Sequence, residues 1–544
     1  MQIKIISVML IRHLLNKFNK AEKSEIPQEQ GVVPFVVGQK DKQIEKQLTQ
    51  SAKTFKQFLS ESEDLIEKQV QLCVNGTMCS VMFIDGLVDN NMVSDTILRS
   101  LVEVCVEKGL QGKQLVEHIE KQVLVANEVE IASSHKQMAQ ACLKGDTVVF
   151  VDGAESGLII NTKGGERRSI TEPTGEAVVR GPREGFTENL RVNVALIRRK
   201  IKNGNLKVEQ MTIGKKTQTV VSIIYLNQVV KPQLVEQLKK RLQNLNVESV
   251  LESGYIEQYI EDHPLSPFST INYTEKPDIA AAKILEGRVA IIVDGTPFVL
   301  TVPMLFIESF QASEDYYVRP FYASFIRIFR YFAFLISIFG PAIYVALANF
   351  HQELIPTTLL LRIITAKEGT PFPIFIETLF MVMAFEFLRE AGIRLPRSVG
   401  QAVSIVGALI MGEAAVSAGI VGAPIVIVVA FTAVCSFIMP QQNNSSTIWR
   451  LIMLAAAAFA GLFGVMMGLL AMLYHLASLE SFGVPYFDSF SNANDLKDIF
   501  VRIPLWLNRS RPRFLADKDK KRTEIFVPPN TQKVYIPEND DEEI

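Results

Sequence analysis

Charged residues are scattered through the first 328 positions and then thin abruptly: residues 331–350, 414–449 and 451–479 hold no Lys, Arg, Asp or Glu. A helix needs about 20 predominantly apolar residues to cross the hydrocarbon core of a bilayer. Tyr331 to Phe350 meets that requirement, with Arg327 and Arg330 just before it and Pro341 inside it. A membrane bundle tolerates such a proline where neighbours satisfy the freed carbonyl. Pro373 to Leu388 is shorter and carries Glu377 and Glu386, so it is expected to cross packed inside protein. Ser398 to Gly412 is apolar but only fifteen residues long before Glu413, which suits a short re-entrant or pore-lining helix. After a Gly and Ala-rich link, Ala414 to Ala423, the segments Pro424 to Met439 and Leu451 to Leu476 complete the expected spans.

Orientation follows from basic residues, which favour the cytoplasmic side. Arg327 and Arg330, the loop Arg389 to Arg397, and the tail with Arg509, Arg511, Arg513 and Lys518 to Arg522 are expected on one side. Four crossings plus a re-entrant element at 398–412 place both termini in the cytoplasm. A full crossing at 398–412 makes the count odd and leaves one basic end outside.

The amino-terminal half has the signature of mixed α/β structure. Helical spacing is expected over Phe58 to Val70, Leu98 to Glu107, Leu190 to Lys202 and Gln233 to Leu245. Strands are expected at Met78 to Ile84, Val148 to Val151, Thr219 to Leu226, Val289 to Val293 and Pro297 to Leu300. Three strands run into Asp-Gly steps, Asp85-Gly86, Asp152-Gly153 and Asp294-Gly295, which tolerate the positive φ of tight hairpins. The fold class is therefore α/β cytoplasmic amino-terminal domains followed by an α-helical transmembrane bundle. The expected divisions are a mobile lead-in over 1–56, small α/β subdomains over 57–145 and 146–305, the transmembrane domain over 306–480, and a basic cytoplasmic tail over 481–544.

Composition adds exclusions. The apolar stretch Ile5 to Leu15 is broken by Arg12 and His13, unlike a secretory signal peptide. Five cysteines (Cys73, Cys79, Cys105, Cys142 and Cys435) lack paired spacing and a histidine pattern, so they are expected as reduced packing residues, with no metal and no cofactor. Phosphate-loop, nucleophile-elbow and zinc-protease motifs are missing, and no enzyme activity is expected. Lys163-Gly164-Gly165 is a turn signal. The basic run Arg180 to Arg199 lacks the aromatic interleaving of a nucleic-acid surface, which favours a solvated helix face or a subunit contact.

Candidate chemistry gathers near 400–413. On a helix Gly400, Ser404, Ala408 and Gly412 recur every four residues, a small-residue face that permits close helix packing. Beside it Ala402, Ile405, Val406, Leu409 and Glu413 form an apolar stripe ending in a carboxylate, which around a symmetry axis makes a constriction beside an acidic ring. The same features also suit packing within one chain with a local cap or ion pair for Glu413. Glu377, Glu386 and Glu390 mark either an aqueous path or partner cations such as Arg389, and Glu386 or Glu390 suits a structural ion pair. Glu377 and Glu386 sit on opposite helix faces and cannot share one site.

Several ordered blocks resemble the A-subunit family of spore germinant receptors, the GerA family. They are Ser169-Ile170-Thr171-Glu172-Pro173, Val178 to Phe186, Gly287 to Asp294, Glu314-Asp315-Tyr316-Tyr317, Arg389 to Pro396 and Ser481 to Phe487. The resemblance covers about residues 57 to 505. It implies a multi-pass protein of the spore inner membrane that assembles with a transporter-like, nutrient-binding B subunit and a lipoprotein C subunit. It also implies a homo-oligomer in contact with membrane lipid that conducts monovalent cations when nutrient binds. A secondary transporter subunit and a non-conducting scaffold of the receptor complex are the competing expectations.

Overall fold

The computed structural model describes residues 41–72, 76–103, 110–123, 128–164, 173, 175–176, 178–395, 412–487, 498–505, 508, 511 and 515. Its amino-terminal α/β half, called the soluble half below for its lack of long apolar helices among the described residues, is one design built twice. The first copy comprises α1 (Leu48–Phe58), β1 (Leu65–Gln71), β2 (Met78–Ile84), α2 (Lys113–His118), β3 (Val129–Ala132), α3 (His135–Cys142), β4 (Thr147–Val151) and β5 (Gly157–Ile160). The second comprises α4 (Leu190–Lys200), β6 (Leu206–Ile213), β7 (Thr219–Leu226), α5 (Pro232–Gln243), α6 (Ser253–Ile260), β8 (Asn272–Thr274), α7 (Pro277–Leu285), β9 (Val289–Val293) and β10 (Val299–Val302). The sheets have the same antiparallel order, β1-β2-β4-β5-β3 and β6-β7-β9-β10-β8. Strands β4 and β9 sit at the centre and bury every residue, as their unbroken apolar sequences TVVFV and VAIIV require.

Two of the Asp-Gly steps close β4–β5 and β9–β10 hairpins, with Gly153 at φ +80° and Gly295 at φ +91°. Each also starts a helix. Asp152 Oδ1 accepts from the Leu48 amide at 3.1 Å and Asp294 Oδ1 from the Leu190 amide at 3.2 Å, in both cases across 104 residues. A carboxylate there satisfies an amide that the first helical turn leaves unpaired. Asp85-Gly86 instead ends β2, and an added Cβ on Gly86 would meet Ala195 Cβ at 3.0 Å, so that glycine allows α4 to approach.

Four sequence expectations are corrected. The boundary at Asp146 cuts through the first sheet, because β4 pairs with β2. The lead-in over 1–56 is too long, since α1 buries Leu48, Ser51, Ala52, Thr54 and Phe55. The helix expected over Phe58 to Val70 ends at Phe58, and Leu65–Gln71 is an edge strand whose apolar positions pair against β2. The basic run is a contact between the two subdomains rather than a solvated face at Arg198. Its guanidinium donates to both Asp64 oxygens at 2.7 and 2.8 Å and to Ser62 Oγ at 2.8 Å, fully buried. Cys79, Cys142 and Cys435 are buried and free, and burial pushes the Cys79 and Cys142 thiols up to about 12, as packing residues. Cys73 and Cys105 lie outside the described residues.

The helical unit contains α8 (Pro320–Phe350), α9 (Thr357–Lys367), α10 (Ile374–Arg394), α11 (Ala423–Phe437) and α12 (Asn443–Ser478). α8 has a mean hydropathy of 2.0 and is long enough to cross a membrane. α12 is not the single last span expected from Leu451 to Leu476. At Gly461 the backbone leaves the helix, with φ 59° and ψ −139°. The Trp449 and His475 rings lie 6.2 Å apart, whereas 26 residues of straight helix would separate them by roughly 39 Å. α12 is therefore a hairpin of two arms, 443–460 and 462–478. Glycines make the fold-back possible: Gly461 packs on Phe350 and His351, Gly464 on the Ala456 carbonyl, and Gly468 on Met453.

Candidate functional site in the helical unit

Contacts fix which end of each helix faces the soluble half. Ser445 Oγ donates to the Pro267 carbonyl at 2.6 Å, Gln442 Nε2 to Ser309 Oγ at 2.7 Å, and Ser266 Oγ pairs with His475 Nε2 at 2.9 Å. Residues 443 and 475 are thus at the soluble end, and the Gly461 turn beside Phe350 is at the far end. α10 runs from the far end, where Glu377 lies, to the soluble end, where Arg389 Nη1 donates to Asn443 Oδ1 at 2.9 Å. α11 runs the same way, starting at Gly422 beside Glu377.

The soluble half grips this unit through buried charges. Arg327 donates to Asp315 at 3.2 Å and Asp498 at 3.0 Å, and Arg330 to Asp315 at 2.8 Å. Lys283 and Arg288 both reach Glu308, just ahead of α8. The loop after α6 rests on the helix ends, with Phe268 stacked on Trp449. Above it, burial pushes the Glu257 carboxyl up to about 6; the Ser269 hydroxyl opposes this, and Glu261 and Glu252 add to it.

The helix-borne glutamates divide into two kinds. Glu377 is buried and accepts from the Gly422 amide at 3.0 Å and from Thr370 Oγ1 at 2.8 Å. Glu386 faces two guanidiniums: Arg389 Nη2 at 2.6 Å and Arg450 Nη1 at 2.9 Å. Arg450 Nε also donates to the Ser337 carbonyl at 2.6 Å, so this cluster ties α8, α10 and α12 together. Glu390 pairs with Arg394 one turn on. These three are structural partners, as their neighbourhood in apolar surroundings demands.

Glu413 is different. It is exposed on the helical turns 412–417 and makes no hydrogen bond or ion pair among the described residues. An added Cβ on Gly412 would lie 3.2 Å from Val426 Cγ1 of α11. Gly419 approaches the Gly369 carbonyl at the far end. The other sequence candidates, Gly400, Ala402, Ser404, Ile405, Val406, Ala408 and Leu409, lie outside the described residues. Sequence reasoning missed Arg450 as the second partner of Glu386. The signal was there: Arg450 is the lone charge in the apolar stretch 414–479, which also holds no acid to pair with it.

A sequence profile described as "Bacillus/Clostridium GerA spore germination protein" matches residues 53–514. Spore germination protein KA of Bacillus subtilis (strain 168) is 43% identical over 472 residues, 86% of each chain. Spore germination protein GerLA of Bacillus cereus is 38% identical over 482 residues, 88% of this chain and 97% of that one. The crystal structure of the N-terminal domain of the A subunit of the Bacillus megaterium spore germinant receptor GerK3 is similar at 32% identity. It covers 49% of this chain and 99% of that one, with a TM-score of 0.40. The match to the profile covers most of the chain and the relatives match nearly end to end; the protein belongs to the GerA family of spore germination proteins.

Proposed function

We propose that this chain is the membrane-embedded subunit of a spore nutrient receptor, and that copies of it assemble around an axis to form a gated path for monovalent cations. Its partners in this reading are a transporter-like B subunit that binds the nutrient and a lipoprotein C subunit, in the spore inner membrane with both termini cytoplasmic.

The observation that carries the reading is Glu413. Every other glutamate on the long helices of the unit has a partner, and an unpaired carboxylate on an apolar helix is stable only where water or another subunit reaches it. The direction of the helices supports the same conclusion. α8 and the first arm of α12 run outward, and α10, α11 and the second arm run back, yet the unit begins and ends at the soluble side. α10 ends at the side of the α/β lobes and α11 starts at the far end, which supports the reading that the chain between them passes outward. The parity objection to a full crossing at 398–412 disappears once α12 is a hairpin. In this passage Ala402, Ile405, Val406 and Leu409 line the constriction and Glu413 the acidic mouth.

The test is cation release from spores carrying Leu409→Ala or Glu413→Gln. The first is expected to leak without nutrient and the second to slow release on nutrient addition at unchanged receptor abundance. Normal release in both variants would sink the pore assignment.

A further inference from the structure

We infer that α9 is an in-plane helix that docks on the lipid surface at the far end of the helical unit. None of its eleven residues is buried. A helix that short is marginal in water on its own, and its side chains find little cover within the chain. Its faces are unlike. Thr358, Arg362 and Thr365 share one side, at spacings of four and three, while Leu359, Leu360, Ile363 and Ile364 share the other, with Leu361 at the border and Lys367 closing the apolar side at the last turn. Leu359 is 50% and Ile364 41% exposed.

Position selects lipid as the occupant. α9 follows the end of α8 at Phe350, and the twenty residues from Tyr331 to Phe350 already span about 30 Å, the thickness of the hydrocarbon core. α9 therefore stands where acyl chains give way to headgroups. Exposed apolar residues flank it, Phe350 and Leu354 before it and Phe372 and Ile376 after it, interspersed with the exposed polar Gln352, Glu353 and Glu368. Arg362 on the polar face and Lys367 at the end suit headgroup phosphates, and a helix of this pattern sinks its apolar face about 5–10 Å into the headgroup boundary. The seat of α9 also bears on the chain near Glu413, because the Ala366 and Gly369 carbonyls pack at 3.5 and 3.0 Å on the Cβ positions of Gly422 and Gly419.

The inference rests on the helical unit lying in a bilayer, and the experiment separates the two. Full-length protein in phosphatidylglycerol-containing nanodiscs carries an environment-sensitive fluorophore on Leu359→Cys, Ile364→Cys, Thr358→Cys or Leu470→Cys, with the protein bearing only its native cysteines as the blank. Leu470 is an exposed position on the second arm of α12. Blue-shifted emission and quenching by lipid spin-labelled near the headgroup are expected at Leu359 and Ile364, with quenching by a label deep in the acyl chain stronger at Leu470. Thr358 is expected to be quenched least. Quenching at Leu470 without quenching at Leu359 and Ile364 overturns the inference alone. Disulfide-linked dimers through Leu359→Cys overturn it in favour of a second copy. No quenching at any position, Leu470 included, overturns the bilayer placement and the inference with it.

Discussion

Gly461→Ala tests the hairpin on which the topology of the helical unit turns. Gly461 occupies φ 59° and ψ −139°, a region that L side chains enter at a cost of about 1–3 kcal/mol. The new Cβ would also sit 2.9 Å from Phe350 Cβ and Cγ and 3.0 Å from His351 Cε1. Overpacking of that kind costs a further ~1–3 kcal/mol, so the turn loses roughly 2–6 kcal/mol in all. The reporter is a disulfide between the arms. Met453 Sδ lies 2.5 Å from the Cβ position of Gly468, whereas a straight helix would hold these residues about 22 Å apart, far beyond disulfide reach. M453C/G468C protein is expected to form an intramolecular disulfide under mild oxidation in membranes, seen as a mobility shift on denaturing gels. Adding Gly461→Ala is expected to reduce its yield and to lower the unfolding midpoint. Failure of the disulfide to form with Gly461 intact would show that 443–478 is not folded back. An undiminished yield in the triple variant would refute the assignment of the bend to this glycine.

Glu386→Gln leaves the Arg389 and Arg450 guanidiniums without their acid inside the helical unit, and stranding buried charge in this way costs about 3–5 kcal/mol. Thermal melting of the detergent-solubilised protein is expected to show that loss, and a smaller one when Arg450→Leu is added, because one guanidinium instead of two is then left without an acid. Arg198→Ala strands the buried Asp64 between the subdomains at a similar cost, and limited proteolysis is expected to cut faster between β5 and α4. For Glu257 the sign runs the other way. Its carboxyl rises from 4.5 to about 6 on folding, so both states are protonated below the lower value, only the unfolded state ionises between the two, and the destabilisation grows across that window and is complete above the upper value. Glu257→Gln is therefore expected to stabilise the protein at pH 7, by roughly 2 kcal/mol, with no difference at pH 4. An equal effect at both pH values would show that burial of the charge is not the cause.

The strands were the most legible part of this chain. Val289–Val293, Thr219–Leu226 and Met78–Ile84 appear at their expected bounds because short, largely apolar runs bounded by turn residues leave few alternatives. The duplication was half visible: Asp152-Gly153 and Asp294-Gly295 announce the turn, but only coordinates show each aspartate holding the start of a helix 104 residues upstream. The lead-in was misjudged because α1 is polar on its outer face and buries just one side, so its sequence is poor in apolar residues. The hairpin in α12 was hidden for the opposite reason. Both arms are apolar throughout, so hydropathy carries no mark of the bend, which Gly461, Gly464 and Gly468 encode through contacts rather than pattern. Among the acids, Glu386 was expected to pair and does.

The duplication also bears on how the chain is made. All strands of the first sheet fall within 65–160 and all strands of the second within 206–302, ahead of the first apolar helix. Synthesis therefore delivers each sheet complete, and folding of both can finish before α8 leaves the ribosome. The Arg198–Asp64 lock then joins the second lobe to one already formed. Assembly closes last around Asp498, which returns from beyond the final arm to Arg327 at the root of the first long helix. A protein truncated before that residue would keep its lobes and lose the clasp that couples them to the helices.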